Sequence, residues 1–447
     1  MPDAVYQVMT PLCALVAPLP IGTNLGLLHL LWMLVSGRLL GARGAVFPAL
    51  SECGLAAAAV RRAWAALGQG EWAGEALLAH WAAALEAEGR WQPHAHAGYH
   101  PVAVDLTGFW RPRLRACPTT HYHGVAGRAL PAIPLGLVAR VGAVGPQRLA
   151  LPLAFVRAEA SDPRPGTHER LLVREALRRC APGDALVLDG GFGVALLQAE
   201  GASRYVVRLA KNCTARRAAP PPYPGRGRPA TRGPLVRPLP RAYRGRHIPA
   251  TPPDRVETWH EEAVLLRAEV WADLVLPEAD AASPAFTIVA IHDPRHREPL
   301  VLASPLPAPP RALRDLYRDR WPVEQLPLAA KQMLGAARQF VHAPETCQRL
   351  PELALLAGAV LSYAAATAPA GPTGFWDRRP RPTPGRLRRL LARTPFPHHF
   401  PLPARIREKA AVTAHLPKGF WGQRQRRAPA PATPAAAAEA MSLDVAA

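Results

Sequence analysis

Four side chains late in the chain have types and a spacing that suit phosphate chemistry. They lie at offsets of 0, 3, 7 and 14 residues, as Tyr317, Arg320, Glu324 and Lys331. At about 100° per residue, a continuous α-helix would place all four on one face. An acid, two cations and a phenol on one face suit a metal-bound phosphate, with Glu324 as metal ligand. The alternative is a solvated helix face with spaced charges.

Two prolines interrupt this stretch. Pro322 cannot complete a helical hydrogen bond and is typical of a helix start, which would leave Tyr317 and Arg320 on a preceding turn. Pro327 predicts a kink between Glu324 and Lys331. The single-face geometry is therefore approximate and needs support from other acids.

Two such acids end strand-like runs. Asp105 ends a short apolar run from Tyr99, and Asp189 ends the apolar run from Asp184. Three carboxylates at one edge of a sheet can hold two Mg²⁺ ions about 3.5–4 Å apart, an arrangement suited to phosphodiester chemistry. Asp105, Asp189 and Glu324 are therefore the candidate metal ligands.

The intervening sequence predicts the elements that would position these acids. Strand-like runs at 135–141, 149–156 and 204–209, with a helix at 167–180 and another near 194–200, indicate a mixed α/β sheet whose first strands are antiparallel. Residues 19–92 are rich in Leu and Ala and are predicted to be helical. Within them, a helix, a turn at Gly54 and a second helix with Arg61 and Arg62 have the layout of a helix-turn-helix; an ordinary αα-hairpin is the alternative.

The charge of the chain predicts an acidic partner. The 447 residues carry a formal net charge of +21, and a field of this size attracts polyanions, nucleic acid first. The run near Leu25–Val35 is too short to span a bilayer, and no basic residue precedes Arg38, so we predict neither a membrane protein nor a signal peptide. Six scattered cysteines favour neither a disulfide framework nor a zinc knuckle.

Two segments are strongly basic. Lys211–Arg246 has ten Lys/Arg and no Asp or Glu, and its many prolines predict an extended loop. Pro372–Arg427 has fourteen Lys/Arg against two acids; it is predicted to be an arm on phosphate backbone, with a disordered solubilising tail as the alternative.

The three acids and their neighbours resemble a known family, the DDE transposases of bacterial insertion sequences, in the insertion-sequence-4-like group. That group carries Asp-x-Thr, then Asp-x-Gly-[Tyr/Phe], then Tyr-x2-Arg-x3-Glu-x6-Lys. The chain has Asp105-Leu-Thr107, Asp189-Gly-Gly-Phe192 and the Tyr317 to Lys331 signature in that order. The resemblance covers roughly residues 20–365.

This resemblance implies an α/β fold: an RNase H-like mixed-sheet catalytic domain with a β-rich insertion, preceded by an α-helical domain. The expected divisions are a helical DNA-binding domain at 1–95, the catalytic domain at 96–210 and 304–368, the basic loop and β-rich insertion at 211–303, and a basic Pro/Ala-rich tail at 369–447.

The resemblance also implies roles and partners. Asp105, Asp189 and Glu324 would bind two Mg²⁺ ions, with Mn²⁺ able to substitute. The expected partners are double-stranded DNA, namely transposon terminal inverted repeats and target DNA, and a second copy of the chain in the DNA complex. The expected location is the prokaryotic cytoplasm, with the nucleoid.

The expected DNA contacts are Tyr317, Arg320, Lys331 and, on the helical domain, Arg61 and Arg62. Trp271 of the insertion is a candidate for stacking on a flipped base, with structural packing as the alternative.

Three other interpretations compete with parts of this one. A catalytically silent or repurposed DNA-binding protein derived from a transposase would have the same charge. The run 187–193 resembles a nucleotide-binding loop, but Leu196 stands where a third glycine belongs. Histidines at 94, 96, 100, 121 and 123 could suggest zinc, but we interpret them as polar loop residues.

Overall fold

Leucine- and alanine-rich sequence makes the first part of the chain helical. The helices bury their apolar side chains in one cluster, which includes Leu12, Leu31, Trp32, Leu67 and Trp81. Their bounds are α1 Asp3–Val16, α2 Thr23–Val35, α3 Arg38–Gly41, α4 Val46–Ser51, α5 Ala57–Gln69 and α6 Gly74–Glu88.

Strands rich in branched apolar residues follow. The first seven are β1 Gln92–Pro93, β2 His100–Trp110, β3 Thr120–His123, β4 Arg128–Val144, β5 Gln147–Arg157, β6 Asp184–Leu188 and β7 Tyr205–Arg208, with α7 Thr167–Arg179 before β6 and α8 Val194–Ala199 after it. The later ones are β8 Ala215–Arg217, β9 Leu235–Val236, β10 Arg241–Tyr243, β11 Arg246–Ile248, β12 Arg255–Glu261, β13 Val264–Val275, β14 Phe286–His292 and β15 Leu300–Ser304.

Among the described residues, thirteen strands form one mixed sheet. Strands β5, β4, β2, β6 and β7 lie side by side, antiparallel up to β2 and parallel from β2 to β7. The sheet then continues through β15, β14 and β13 to β8 and β9, while β1 and β3 pair with β4, and β12 with β13. All five residues of β6 are buried, as expected for a parallel strand covered on both faces. The prediction of a mixed α/β fold is confirmed.

Helices return after the sheet. They are α9 Pro310–Arg318, α10 Trp321–Leu328, a π-helical turn Ala329–Met333, α11 Pro344–Thr367 and α12 Pro384–Leu391. Helix α11 is long and apolar enough to cross a membrane by composition, but 83% of its apolar window is buried inside the protein. Such burial is typical of a core helix, and this apolar stretch is longer than the run near Leu25–Val35 that the sequence analysis considered.

The chain is seen here as a computed structural model that describes residues 3–158, 166–223, 225–226, 228, 230–278, 283–369, 372 and 374–409. Contacts within the described part of the chain group the residues up to Arg407 into one compact unit. The predicted basic tail spans 369–447, and its residues after 409 lie outside the described part of the chain. Its earlier part is folded, because Leu387, Leu391 and Phe396 are buried in the cluster of the N-terminal helices.

Candidate functional site

Strand β2 sets the direction of Asp105. Side chains alternate along a strand, and Val102 and Val104 enter the core on one face of the sheet. Ala103 enters the cluster of the helices on the other face. Asp105 and Thr107 follow Ala103 at intervals of two, so both project on the helical side.

The parallel pairing of β2 with β6 brings Asp189 alongside Asp105. Ala103 lies opposite Val187 in that ladder, and two further residues along each strand lead to Asp105 and Asp189. Neighbouring strands are about 4.8 Å apart. Asp189 follows the last residue of β6, and its Oδ1 accepts a hydrogen bond from the Gly191 amide at 2.9 Å.

Helix α10 brings Glu324 to the same place. Its Val323 and Leu326 are buried in the cluster that also contains Ala103, and the helix contacts β2. Burial raises the pKa of Asp105 to about 6, with the negative charges of Asp189 and Glu324 acting in the same direction and Arg320 opposing them. Asp189 and Glu324 therefore both lie close enough to Asp105 to act on its charge.

Arg320 lies between two of these acids. Its Nη2 donates a hydrogen bond to Glu324 Oε1, and its Nη1 is 3.9 Å from Asp105 Oδ1. The guanidinium carbon lies 5.9 Å from the centre of the Tyr317 ring. Burial disfavours the charged form, but Tyr317, Glu324 and Asp105 together raise the pKa of Arg320. Among the described residues this Nη1 is a buried nitrogen without a hydrogen-bond acceptor.

Lys331 reaches the site from the π-helical turn. Its Nζ donates a hydrogen bond to Thr107 Oγ1 at 2.6 Å and lies 5.0 Å from the centre of the Phe109 ring. Burial lowers the pKa of Lys331 to about 8, although the Asp105 charge opposes this. The sequence analysis missed Thr107 as the partner of Lys331. The signal was its position two residues after Asp105, which in a strand places both on one face.

Pro322 and Pro327 interrupt the helix as the sequence predicts. Tyr317 lies in the last turn of α9, Arg320 lies between the helices, and Pro322 is in the first turn of α10. The π-helical turn follows Pro327 and carries Lys331. A single straight helix with four residues on one face is therefore wrong; two helices and a π-helical turn bring the same side chains together.

Three side chains beside this site form a group that could hold a metal ion. We call it the histidine–aspartate cluster: His94, His96 and Asp319, whose ligand atoms all lie within 4.8 Å of one another. The Asp319 side chain is 0% exposed. His94 and His96 lie in the connection from β1 to β2, as the interpretation as loop residues predicts, but both contact a buried carboxylate. His100, His121 and His123 instead lie in strands β2 and β3. The His-x-His spacing of His94 and His96 was the available signal.

The structure places the remaining predicted DNA contacts in different environments. Trp271 is fully buried, and its Nε1 donates to the carbonyl oxygens of Thr251 and Pro252 at 3.1 and 3.0 Å. Trp271 therefore has the structural packing role that was the alternative to base stacking, because its ring faces are not accessible to a base. Arg61 and Arg62 are exposed on α5, which follows α4 and a turn at Gly54. The helix-turn-helix layout and the αα-hairpin alternative both predict this arrangement.

A basic cleft adjoins Arg320. Its volume is about 1030 Å³, and seven arginines and two acids line it. Trp321, at the start of α10, also lines the cleft and is 60% exposed. The excess of arginines favours a polyanion in the cleft.

The chain matches no protein-family model, and no curated protein matches it. The candidate site therefore rests on its geometry and on the order of its motifs.

Proposed function

We propose that the protein is a transposase that cleaves DNA at transposon ends and joins them to target DNA. The observation that carries the proposal is the meeting of Asp105, Asp189 and Glu324 beside the cations Arg320 and Lys331. Three acids supply ligands for divalent cations, and two cations supply contacts for phosphate oxygens. This combination suits phosphodiester chemistry.

The strand order supports an RNase H-like catalytic domain. Three antiparallel strands, β5, β4 and β2, are followed by β6 and β7 parallel to β2. Asp105 and Asp189 occupy adjacent strands at the centre of this sheet, and Glu324 comes from a helix packed against it. The strands from β8 to β15 would then make up the β-rich insertion expected at 211–303.

The donor set fits Mg²⁺. Carboxylate oxygens are the ligands that Mg²⁺ prefers, and the raised pKa of Asp105 marks a position where added positive charge is favourable. Two Mg²⁺ ions, or Mn²⁺ in their place, would supply Lewis-acid stabilisation of the attacking and leaving oxygens. Asp105, Asp189 and Glu324 would hold them.

The residues of the chain orient the DNA. Arg320 and Lys331 bind phosphate oxygens, and Tyr317 supports Arg320 from the side. In cleavage, water oxygen bonds to phosphorus while the bond to the 3′-oxygen breaks, which frees a 3′-hydroxyl. That hydroxyl then attacks a target phosphodiester and displaces another 3′-oxygen. Terminal inverted repeats and target DNA are thus the proposed partners, in a dimeric complex in the prokaryotic cytoplasm.

The test is Glu324→Gln in the full chain. We expect binding to terminal-repeat DNA within about twofold of wild type and cleavage with Mg²⁺ reduced at least about 10³-fold, since a metal ligand is lost. Asp315→Asn on α9 is the matched control and should retain cleavage. Wild-type cleavage by Glu324→Gln would overturn the proposal. Inverted repeats flanking the gene, with duplicated target bases outside them, would supply the terminal substrate.

A further inference from the structure

The histidine–aspartate cluster is compact and partly buried. His94 Nδ1 is 2.9 Å and His96 Nε2 is 2.7 Å from the same oxygen, Asp319 Oδ2. The other oxygen, Oδ1, lies 3.4 Å from Arg148 Nη1. The two imidazoles are 22% and 23% exposed, whereas Asp319 is 0% exposed. Two aromatic nitrogens and a carboxylate thus converge on one point that solvent reaches from the histidine side.

The backbone fixes both sides of this cluster. The His94 amide donates to the Val141 carbonyl at 3.0 Å, and the His96 amide to the Tyr99 carbonyl at 2.9 Å. His100 Nδ1 lies 2.8 Å from the His94 carbonyl oxygen. Asp319 ends α9, where its amide donates to the Leu316 carbonyl at 3.1 Å. The donor atoms therefore come from two ordered segments, the connection from β1 to β2 and the junction of α9 with α10.

The donor types select the kind of ion. Imidazole nitrogen suits Zn²⁺ and its neighbours in the first transition series, whereas Mg²⁺ prefers oxygen. Metal to nitrogen distances of about 2.0–2.1 Å place the donors of a tetrahedral site roughly 3.3 Å apart. The distances from the two histidine nitrogens to Asp319 Oδ2 would therefore have to increase by about half an ångström. Solvent would occupy the fourth position. Arg148 would then act as an outer partner of the carboxylate.

We propose that His94 Nδ1, His96 Nε2 and Asp319 Oδ2 bind one divalent transition-metal ion of the Zn²⁺ class. This site is separate from the three carboxylates of the proposed active site and does not depend on the proposed function. The bound ion joins the segment before β2 to the junction between α9 and α10. Arg320, the residue after Asp319, lies at that junction, so the ion would also fix the backbone from which Arg320 extends.

The experiment uses the full chain carrying Asp105→Asn and Glu324→Gln, so that the carboxylate site does not contribute. After treatment with a chelator, the protein is titrated with Co²⁺ and followed by visible absorption, and Zn²⁺ is then added as competitor. We expect one equivalent of Co²⁺ with nitrogen-ligand absorption bands, displaced by one equivalent of Zn²⁺. Because this readout needs no DNA, it is independent of whether the protein cleaves DNA.

Variants assign the binding to the cluster. Asp319→Asn keeps an oxygen that accepts hydrogen bonds from the histidines, so the fold should persist, and His96→Ala removes one nitrogen ligand. Each should weaken Co²⁺ binding at least about 100-fold, since loss of an outer partner alone costs about 10–100-fold. His247→Ala, at an exposed histidine of β11, should bind as the parent does. Absence of a Co²⁺ equivalent in the parent, or unchanged binding by Asp319→Asn, would overturn the proposal.

Discussion

Asp105 is unfavourably placed as an anion. Burial, with Asp189 and Glu324 nearby, raises its pKa from 3.8 to about 6. The folded protein therefore binds this proton more tightly than the unfolded chain does. The resulting stabilisation is complete below about pH 4 and is lost as the pH rises through about 6. At neutral pH the Asp105 carboxylate is ionised, and its charge lowers the free energy of unfolding relative to a neutral side chain at this position.

Asp105→Asn should stabilise the metal-free protein at pH 7.5. Removing the buried charge should raise the free energy of unfolding by up to about 3 kcal/mol, and the gain should shrink as the pH is lowered to 4.5. Urea denaturation in the presence of a chelator measures both values. Asp315→Asn should show no such gain at pH 7.5. An equal loss of stability at both pH values in Asp105→Asn would contradict the account of Asp105.

Lys331 should make binding to DNA ends depend on pH. Its pKa is lowered to about 8 by burial, so the ammonium loses its proton as the pH rises through that value. We expect affinity for terminal-repeat DNA to fall about 3- to 10-fold between pH 7 and 9, from loss of one charged contact. Lys331→Arg keeps the charge and should bind with a flatter profile in the same range. Identical profiles for both proteins would exclude Lys331 as the titrating group.

At the scale of elements, one ion pair joins α11 to the sheet. Arg157, the last residue of β5, donates from Nε and Nη2 to the two oxygens of Glu352 at 2.6 and 2.8 Å. Glu352 is 5% exposed and Arg157 37% exposed. A second acid of α11, Glu345, accepts from the same guanidinium at 3.2 Å. The pair fixes the register of α11 against β5, because both residues lie in regular elements.

Glu352→Ala should destabilise the protein by about 1–3 kcal/mol. This is less than the 3–5 kcal/mol of a fully buried pair, because Arg157 is partly solvated and keeps Glu345. Glu345→Ala, at the 45% exposed partner, should cost at most about 1 kcal/mol. Urea denaturation of both variants gives the comparison. Equal decreases in the free energy of unfolding would show that the bidentate contact of Arg157 with Glu352 stabilises the protein no more than the contact with Glu345.

The parts of the fold predicted from the sequence depend on local patterns. The start of β2, the strand β6 that ends just before Asp189, and helix α7 after β5 follow from apolar runs and helical spacing within short windows. Asp189 stands at the boundary between an apolar run and a turn, as predicted. The same prediction is wrong for Asp105, because β2 continues past it to Trp110. Thr107 could have been paired with Lys331 only with knowledge of how β2 faces the late helices.

The parts that were missed depend on contacts between distant residues. The junction of α9 and α10 brings Asp319 to His94 and His96, more than 220 residues earlier in the chain. Nothing in either local sequence encodes that meeting. Trp271 presents a similar difficulty, since a strand-like setting does not reveal that both faces of the sheet are covered there.

At the scale of the whole molecule, the net charge of +21 should make DNA binding strongly dependent on salt. A protein that contacts six to ten phosphates loses about 10³–10⁵ in affinity between 50 and 200 mM salt. Arg320→Gln should reduce the slope of log affinity against log salt by about one phosphate contact. Arg178→Gln, whose parent side chain pairs with Glu175, should leave the slope unchanged. Titrations by fluorescence anisotropy measure the slopes, and a slope near zero for the parent would exclude phosphate-dominated binding.

The continuity of the sheet limits where residues can be inserted into or deleted from the chain without loss of the fold. Strand β15 is hydrogen-bonded to β7 on one side and to β14 on the other. A deletion that removed the strands from β8 to β15 would leave β7 as an unprotected edge, which invites pairing between copies of the chain and aggregation. Insertions in the loop between β8 and β9 would leave this pairing intact. Viable length variants should therefore gain or lose residues in that loop and retain β13, β14 and β15.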